Sequence, residues 1–153
     1  MTPRSRTNQL LYQAELLLSQ PSGNDEHAAS RRMASEEGAL ALLELALNAA
    51  LRELTEHARL ARHDWRELLS NGSEAIAEVR RLHELKEASD SWLSILTARI
   101  EALHSVDGAA RRESGGDTLI VAADRQALVD ELRWCLREFK SALSELRETS
   151  VEW

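Results

Sequence analysis

The side chains that could do chemistry are few, and most lie at helical spacing. His83-Glu84-Leu85-Lys86 places a lysine one turn after a histidine, so both project from the same flank of a helix. In histidine phosphotransfer this arrangement lets the imidazole take up a phosphoryl group while the ammonium holds its oxygens. Glu87 follows, where phosphotransfer helices usually carry glycine. A carboxylate there adds bulk and like charge beside a phosphate. Glu101 and His104 have the spacing of half a di-iron site. Such a centre needs two of these pairs and two further inward glutamates, and Glu101 lies about 140° from the middle of its helix's apolar arc. Glu36-Glu37 with Glu84, Glu87 and Asp90 are carboxylates of the kind that hold Mg²⁺ on helices. The second set falls opposite an apolar seam, where a solvated charged face is the simpler expectation. Arg-to-His spacings of the kind helical ribonucleases use occur at Arg52–His57 and Arg99–His104, but 17 Arg and 5 His produce such pairs by chance. There is no Gly-x-Ser-x-Gly elbow and no glycine-rich phosphate loop after a strand. No catalytic residue, cofactor or metal is implied.

A basic stripe is the next candidate. Arg52, Arg59, Arg62 and Arg66 fall along one flank of a single long helix, with His63 beside them, a spacing able to grip phosphates. Glu53, Glu56, Asp64 and Glu67 interleave with them, and the net charge is −7. Salt bridging to neighbouring helices is therefore expected, and nucleic acid is a disfavoured partner. The chain holds 4 Trp against 1 Tyr and 1 Phe. Trp65 and Trp92 lie on apolar seams and belong in the core. Trp134 lies off the Leu132–Cys135 stripe and is expected half-buried, and Trp153, beside Ser150-Val151-Glu152, either folds back onto the bundle, the favoured expectation, or anchors a partner; both are candidate partner contacts. Cys135 falls on the buried stripe, where it serves as a small core residue.

The elements that carry these residues follow from composition and period. At 153 residues, 43% hydrophobic and 29% charged, the span 1–153 has the size of one domain. Few Gly, Pro and aromatic residues among abundant Leu, Ala, Glu and Arg favour helix. One Cys excludes an internal disulfide framework. The most apolar segment, Ala39 to Leu51, contains Glu44 and Asn48 and is shorter than the roughly 20 residues a bilayer requires. The apolar stretch after Arg4 and Arg6 is broken by Gln9, Gln13 and Glu15, so it lacks the core of a signal peptide. A cytoplasmic protein without membrane contact is expected. The first helix is predicted over Pro3–Ser19 with Thr2 as its cap. The second is predicted from just after Asn24 to about Leu69 in one piece, with Gly38 as a weak point. The third is predicted from a Ser73 cap to about Ser105, continuous through Ser89. The fourth is predicted over Ala122–Thr149, after a loop and a short apolar plug at Leu119–Val121. The fold class is all-α: an antiparallel four-helix bundle with one short N-terminal helix and three long helices. A short first helix leaves part of the long ones uncovered, as a groove or a homodimer interface.

Both ends of the chain carry a further signal. Arg6-Thr7-Asn8-Gln9 with Tyr12 and Ala14, and the closing Glu152-Trp153, resemble a family of short uncharacterised all-helical proteins from pseudomonads and related gammaproteobacteria. The resemblance covers the whole chain. That family is a domain of unknown function, so the resemblance implies no activity; it does imply that Thr7, Asn8, Gln9, Tyr12 and Trp153 matter. Physically, the polar run beside Tyr12 could hydrogen-bond to the C-terminal turn and tie the short helix to the fourth, or form a polar binding site there. The combined expectation is a non-enzymatic protein–protein interaction module, an adaptor, regulator or small scaffold, with a homodimer as one form. Its partner-binding candidates are Thr7, Asn8, Gln9, Tyr12, Trp134 and Trp153. The alternatives are phosphotransfer through His83 and Lys86, and nucleic-acid binding through the arginine stripe.

Overall fold

Pro3 to Ser19 form a helix because the first turn is provided for and one face is apolar. The Thr2 hydroxyl accepts from the Ser5 N–H at 3.0 Å, and Pro3 occupies the first turn, where a missing N–H costs nothing. Leu10, Leu11, Ala14 and Leu18 form its buried face. A computed structural model describes this helix within residues 1–71, 76–110 and 118–151. Among the described residues the order is α1 (Pro3–Ser19), α2 (Ala28–Leu54), a 3₁₀ turn (Glu56–Ala58), α3 (Trp65–Asn71), α4 (Ala77–Glu87), α5 (Trp92–Leu103) and α6 (Thr118–Val151). The protein is all-helical over these residues. No helix of the described residues is long and apolar enough to cross a membrane.

The second helix begins later than expected. Asp25 Oδ1 accepts from the His27 N–H at 3.0 Å and also holds Arg31, so this carboxylate pins the turn ahead of Ala28. Gly38 lies inside α2 rather than at a restart. A Cβ there would stand 3.1 Å from Leu17 Cδ1, so glycine admits α1 close against α2. The two helices run antiparallel, with Leu17 beside Gly38 and the Arg6 end beside Arg52.

The expectation of one helix from Asn24 to Leu69 is wrong, and the reason is not local. Between Leu54 and Trp65 there is neither glycine nor proline. Thr55 caps α2 with its hydroxyl on the Leu51 carbonyl at 2.6 Å, and Arg59 takes a left-handed conformation at φ 51°. A continuous helix would carry Trp65 about 25 Å past Asn48 along the axis. The reversal returns it: Trp65 donates its backbone N–H to Asn48 Oδ1 at 2.9 Å and its indole N–H to Glu44 Oε2 at 2.8 Å. Burying a tryptophan is worth about 4–6 kcal/mol. That exceeds the roughly 1–2 kcal/mol of a left-handed non-glycine residue, so tertiary burial overrides helix propensity.

The third long helix is also divided. Ser89-Asp90-Ser91 separates α4 from α5. The Ser91 hydroxyl accepts from the Ser94 N–H at 3.0 Å and donates to the Leu85 carbonyl, so one oxygen serves the end of α4 and the start of α5. After α5, Gly108 turns the chain at φ +75°, where a Cβ would come within 2.8 Å of Glu37 Oε2. That carboxylate accepts from the Ala109 N–H at 3.0 Å. The last helix starts at Thr118 and absorbs Leu119–Val121; the expected Ser73 cap lies outside the described residues.

The core joins Leu40, Leu43, Leu47 and Leu51 of α2 to Leu93, Leu96 and Ile100 of α5 and Leu132, Cys135 and Leu143 of α6. Trp92 stacks on Phe139 with ring centroids 5.1 Å apart. The Cys135 thiol donates to the Trp92 carbonyl at 3.6 Å. Burial, with the nearby Glu131 charge, pushes that thiol up to about 12, so it is a packing group and not a nucleophile.

Two substitutions test this account of the breaks. Arg59→Gly removes the left-handed strain, and after the added chain entropy of glycine it stabilises by about 0.5–1 kcal/mol, a Tm rise of a few degrees in a thermal melt. Ser91→Ala costs about 1–2 kcal/mol in urea unfolding, because two helix ends lose one partner.

Candidate functional site

The densest polar cluster is built on Glu44. Its Oε2 accepts from the Trp65 indole and from Arg66 Nη1 at 3.0 Å, and its Oε1 accepts from His104 Nε2 at 2.6 Å. Arg66 also reaches Glu101 at 3.1 Å, and its guanidinium lies 4.6 Å over the Trp65 ring. Burial pushes the Glu44 carboxyl up. The hydrogen bonds from Trp65 and His104, with the charges of His104 and Arg66, outweigh it and hold the group below the usual carboxylate range. The cluster thus joins α2, α3, α5 and the residue that follows α5. Its geometry is that of a structural clasp: every carboxylate oxygen of Glu44 already has a donor.

A second cluster ties the ends of the chain together. Arg147 of α6 donates to both oxygens of Glu53, at 2.5 and 3.1 Å, and to Asn8 Oδ1 at 2.9 Å. Both charged side chains are largely buried, at 16% and 11% exposure, so the bidentate pair is shielded from solvent screening. The other members of the polar run do different things. Thr7 is buried with its hydroxyl on the Pro3 carbonyl at 3.1 Å, and Gln9 accepts from Arg6 at 2.6 Å. Tyr12 is 59% exposed, one turn before Leu16 at 47%.

The remaining candidates are scattered. The arginine stripe does not exist as a face, because α2 stops at Leu54. Arg52 is on α2, Arg59 and Arg62 follow it outside any α-helix, and Arg66 is bound to Glu44 and Glu101. His83 is half-buried, and its Nδ1–H donates to the Leu69 carbonyl of α3. Lys86 lines a shallow concavity with Trp65, Arg66, Thr97 and Glu101. Glu36 is buried beside Arg32 at 3.5 Å, and Glu37 holds the Gly108 turn. Trp65 and Trp92 are buried, Trp134 is half-buried, and Trp153 lies outside the described residues.

The surface also carries concavities, and one of them is apolar at its base. A groove of about 450 Å³ runs between α4 and α6, with Leu82, Leu85, Trp92, Ala142 and Leu146 along its floor. Arg81, Glu84, Glu138 and Glu145 stand on its rim. Arg81 is paired to Glu145 at 2.9 Å, whereas Glu84 and Glu138 form no ion pair among the described residues. The groove is therefore apolar below and negative above. Among the described candidates, Thr7, Asn8, Gln9, Tyr12 and Trp134, none lines it.

Glu44, Asn48, Glu53 and Arg147 were not singled out as site residues by sequence reasoning. For the first two a signal existed: they are polar interruptions one turn apart in the apolar run Ala39–Leu51, and both hold Trp65. The Glu44 cluster has a pH signature. Because the folded-state pKa is depressed, its stabilisation is complete above the ordinary carboxylate range and lost as pH falls through the lowered value. Glu44→Gln should cost about 1–3 kcal/mol at neutral pH, and the gap in urea midpoint between variant and parent should close in acid.

The family model described as a family of unknown function, DUF6586, matches residues 1–153. No curated protein and no solved structure matches. The match covers the first helix with its Thr-Asn-Gln run, both helix breaks and the long last helix, so the chain belongs to the DUF6586 family of unknown function.

Proposed function

We propose that the protein is a non-enzymatic interaction module of the cytoplasm that docks an amphipathic, basic helix of a partner protein in the groove between α4 and α6. The observation that carries this reading is the groove's composition: an apolar floor beneath a rim on which Glu84 and Glu138 have no counter-ion among the described residues. A helix with an apolar stripe flanked by Lys or Arg complements both layers. In the same reading α1, α2, the α4–α5 pair and α6 are the four arms of an antiparallel bundle, and the Glu44 and Arg147 clusters keep those arms in register. The clustered polar groups then serve rigidity, and the groove serves recognition.

The probe is a fluorescent Leu/Lys amphipathic peptide of about 18 residues, five helical turns. Glu84→Lys with Glu138→Lys should weaken its binding by about tenfold or more, roughly 1.4 kcal/mol. Glu26→Lys with Asp130→Lys makes the same charge change outside the groove and should leave affinity unchanged. Equal losses from both pairs would reduce the effect to net charge and overturn the proposal. So would a dimer in sedimentation that occludes the groove with a second copy.

Phosphotransfer through His83 and Lys86 has one observation in its favour. The Leu69 carbonyl fixes the imidazole with its proton on Nδ1 and leaves Nε2 with a lone pair. Acid-labile labelling of the protein by a phosphodonor, lost in His83→Gln, would establish that reading. Glu84 and Glu87 beside it weigh against it.

A further inference from the structure

A second concavity, of about 590 Å³, lies where the start of α1 meets the last part of α2 and the connector before α3. Three elements send a nitrogen-bearing side chain to its wall: Arg6 from α1, Arg52 from α2 and His63 from the connector. Among the described residues the Arg6 guanidinium is hydrogen-bonded only to the neutral Gln9 amide oxygen. Arg52 forms no ion pair among the described residues. The one acid on the wall, Asp64, is turned to the start of α3, where its Oδ1 accepts from the Arg66 N–H at 3.1 Å. The first turn of α1 adds the positive end of a helix and carries no acidic residue of its own. In a chain of net charge −7, two guanidinium groups facing one hollow with no ion pair among the described residues are a departure that packing does not require.

We propose that this hollow is an anion site for a small phosphomonoester, with Arg52 and Arg6 neutralising the dianion and His63 hydrogen-bonding to it. Two guanidinium groups match the two charges of a phosphomonoester better than the single charge of a carboxylate. The volume lies in the range of small-molecule sites. Burial and the Arg52 charge already hold His63 below its ordinary range, so at neutral pH the ring is uncharged, with one N–H to donate. An anion bound between Arg52 and His63 screens that repulsion. His63 is therefore a reporter of occupancy as well as a ligand.

The experiment is a titration of the full chain with phenyl phosphate at constant ionic strength, followed by NMR of the histidine ring protons, with His63→Gln assigning the resonance. The expected result is saturable movement of the His63 signal and a rise in its pKa when the site is filled. Arg52→Gln should raise the His63 pKa in the absence of ligand and weaken phenyl phosphate by about tenfold. Arg6→Gln should weaken it too without the first effect. Both arginines are exposed, so neither substitution removes a core group. An unmoved His63 signal would overturn the proposal, as would the same response to sodium chloride. An equal response to acetate would overturn the phosphomonoester assignment, and tighter binding of a single-stranded oligonucleotide would replace it with a nucleic-acid contact.

Discussion

Trp65 is held at two points by one helix, and much of the architecture depends on it. Asn48 takes its backbone N–H and Glu44 takes its indole N–H. These acceptors sit one turn apart on α2, so they fix both the position and the tilt of the residue that begins α3. Arg66 follows over the ring and completes the Glu44 carboxylate. Without this double anchor nothing local would stop the chain between Leu54 and Trp65 from continuing as helix. With it, α3 returns beside α2, α4 packs on α3, and the Leu69 carbonyl meets His83. The anchor therefore also sets where α4 lies, and with it one wall of the groove.

How much of this was legible depended on whether the cause was local. α1 was readable to the residue, because Thr2, Pro3 and the Leu10–Leu18 face act within one helix. The all-helical class was readable from composition and period. Gly38 was visible as an exception but not as a contact, since the Leu17 methyl that needs the space comes from another helix. The break at Ser89–Ser91 was readable in principle: three turn- and cap-forming residues precede Trp92, yet the apolar spacing on either side hid them. The break after Leu54 was not readable, because its cause is a contact 17 and 21 residues back. The sites follow the same rule. Tyr12 and Trp134 were visible as residue types, while the groove exists only where α4 and α6 meet. The arginine stripe vanished with the helix that would have displayed it.

The charges divide into two populations with different physical roles. Glu44, Glu53 and Arg147 are shielded, multiply bonded and joined to elements distant in sequence; they specify register. Glu84, Glu138, Arg6 and Arg52 are exposed and lack ionic partners among the described residues. Exposed ion pairs contribute little to stability, so leaving these groups unpaired costs the fold almost nothing and leaves their fields available to a ligand. Opposite signs are gathered at different concavities: Glu84 and Glu138 at the α4–α6 groove, Arg6 and Arg52 at the hollow beside the start of α1.

The burial of α2 has a consequence for how the chain is made. Its leucine face, Leu40 to Leu51, is covered in part by residues 132–146 of the last helix, and these are synthesised well after it. At roughly 5–20 residues per second, several seconds pass between synthesis of the face and synthesis of its cover. When the face is first made, α1, closed on α2 by a short connector, already exists and can shield those leucines before α5 and α6 arrive. The close seat of Leu17 on Gly38 thus acts early, as a guard on the nascent chain against sticking to other hydrophobic surfaces.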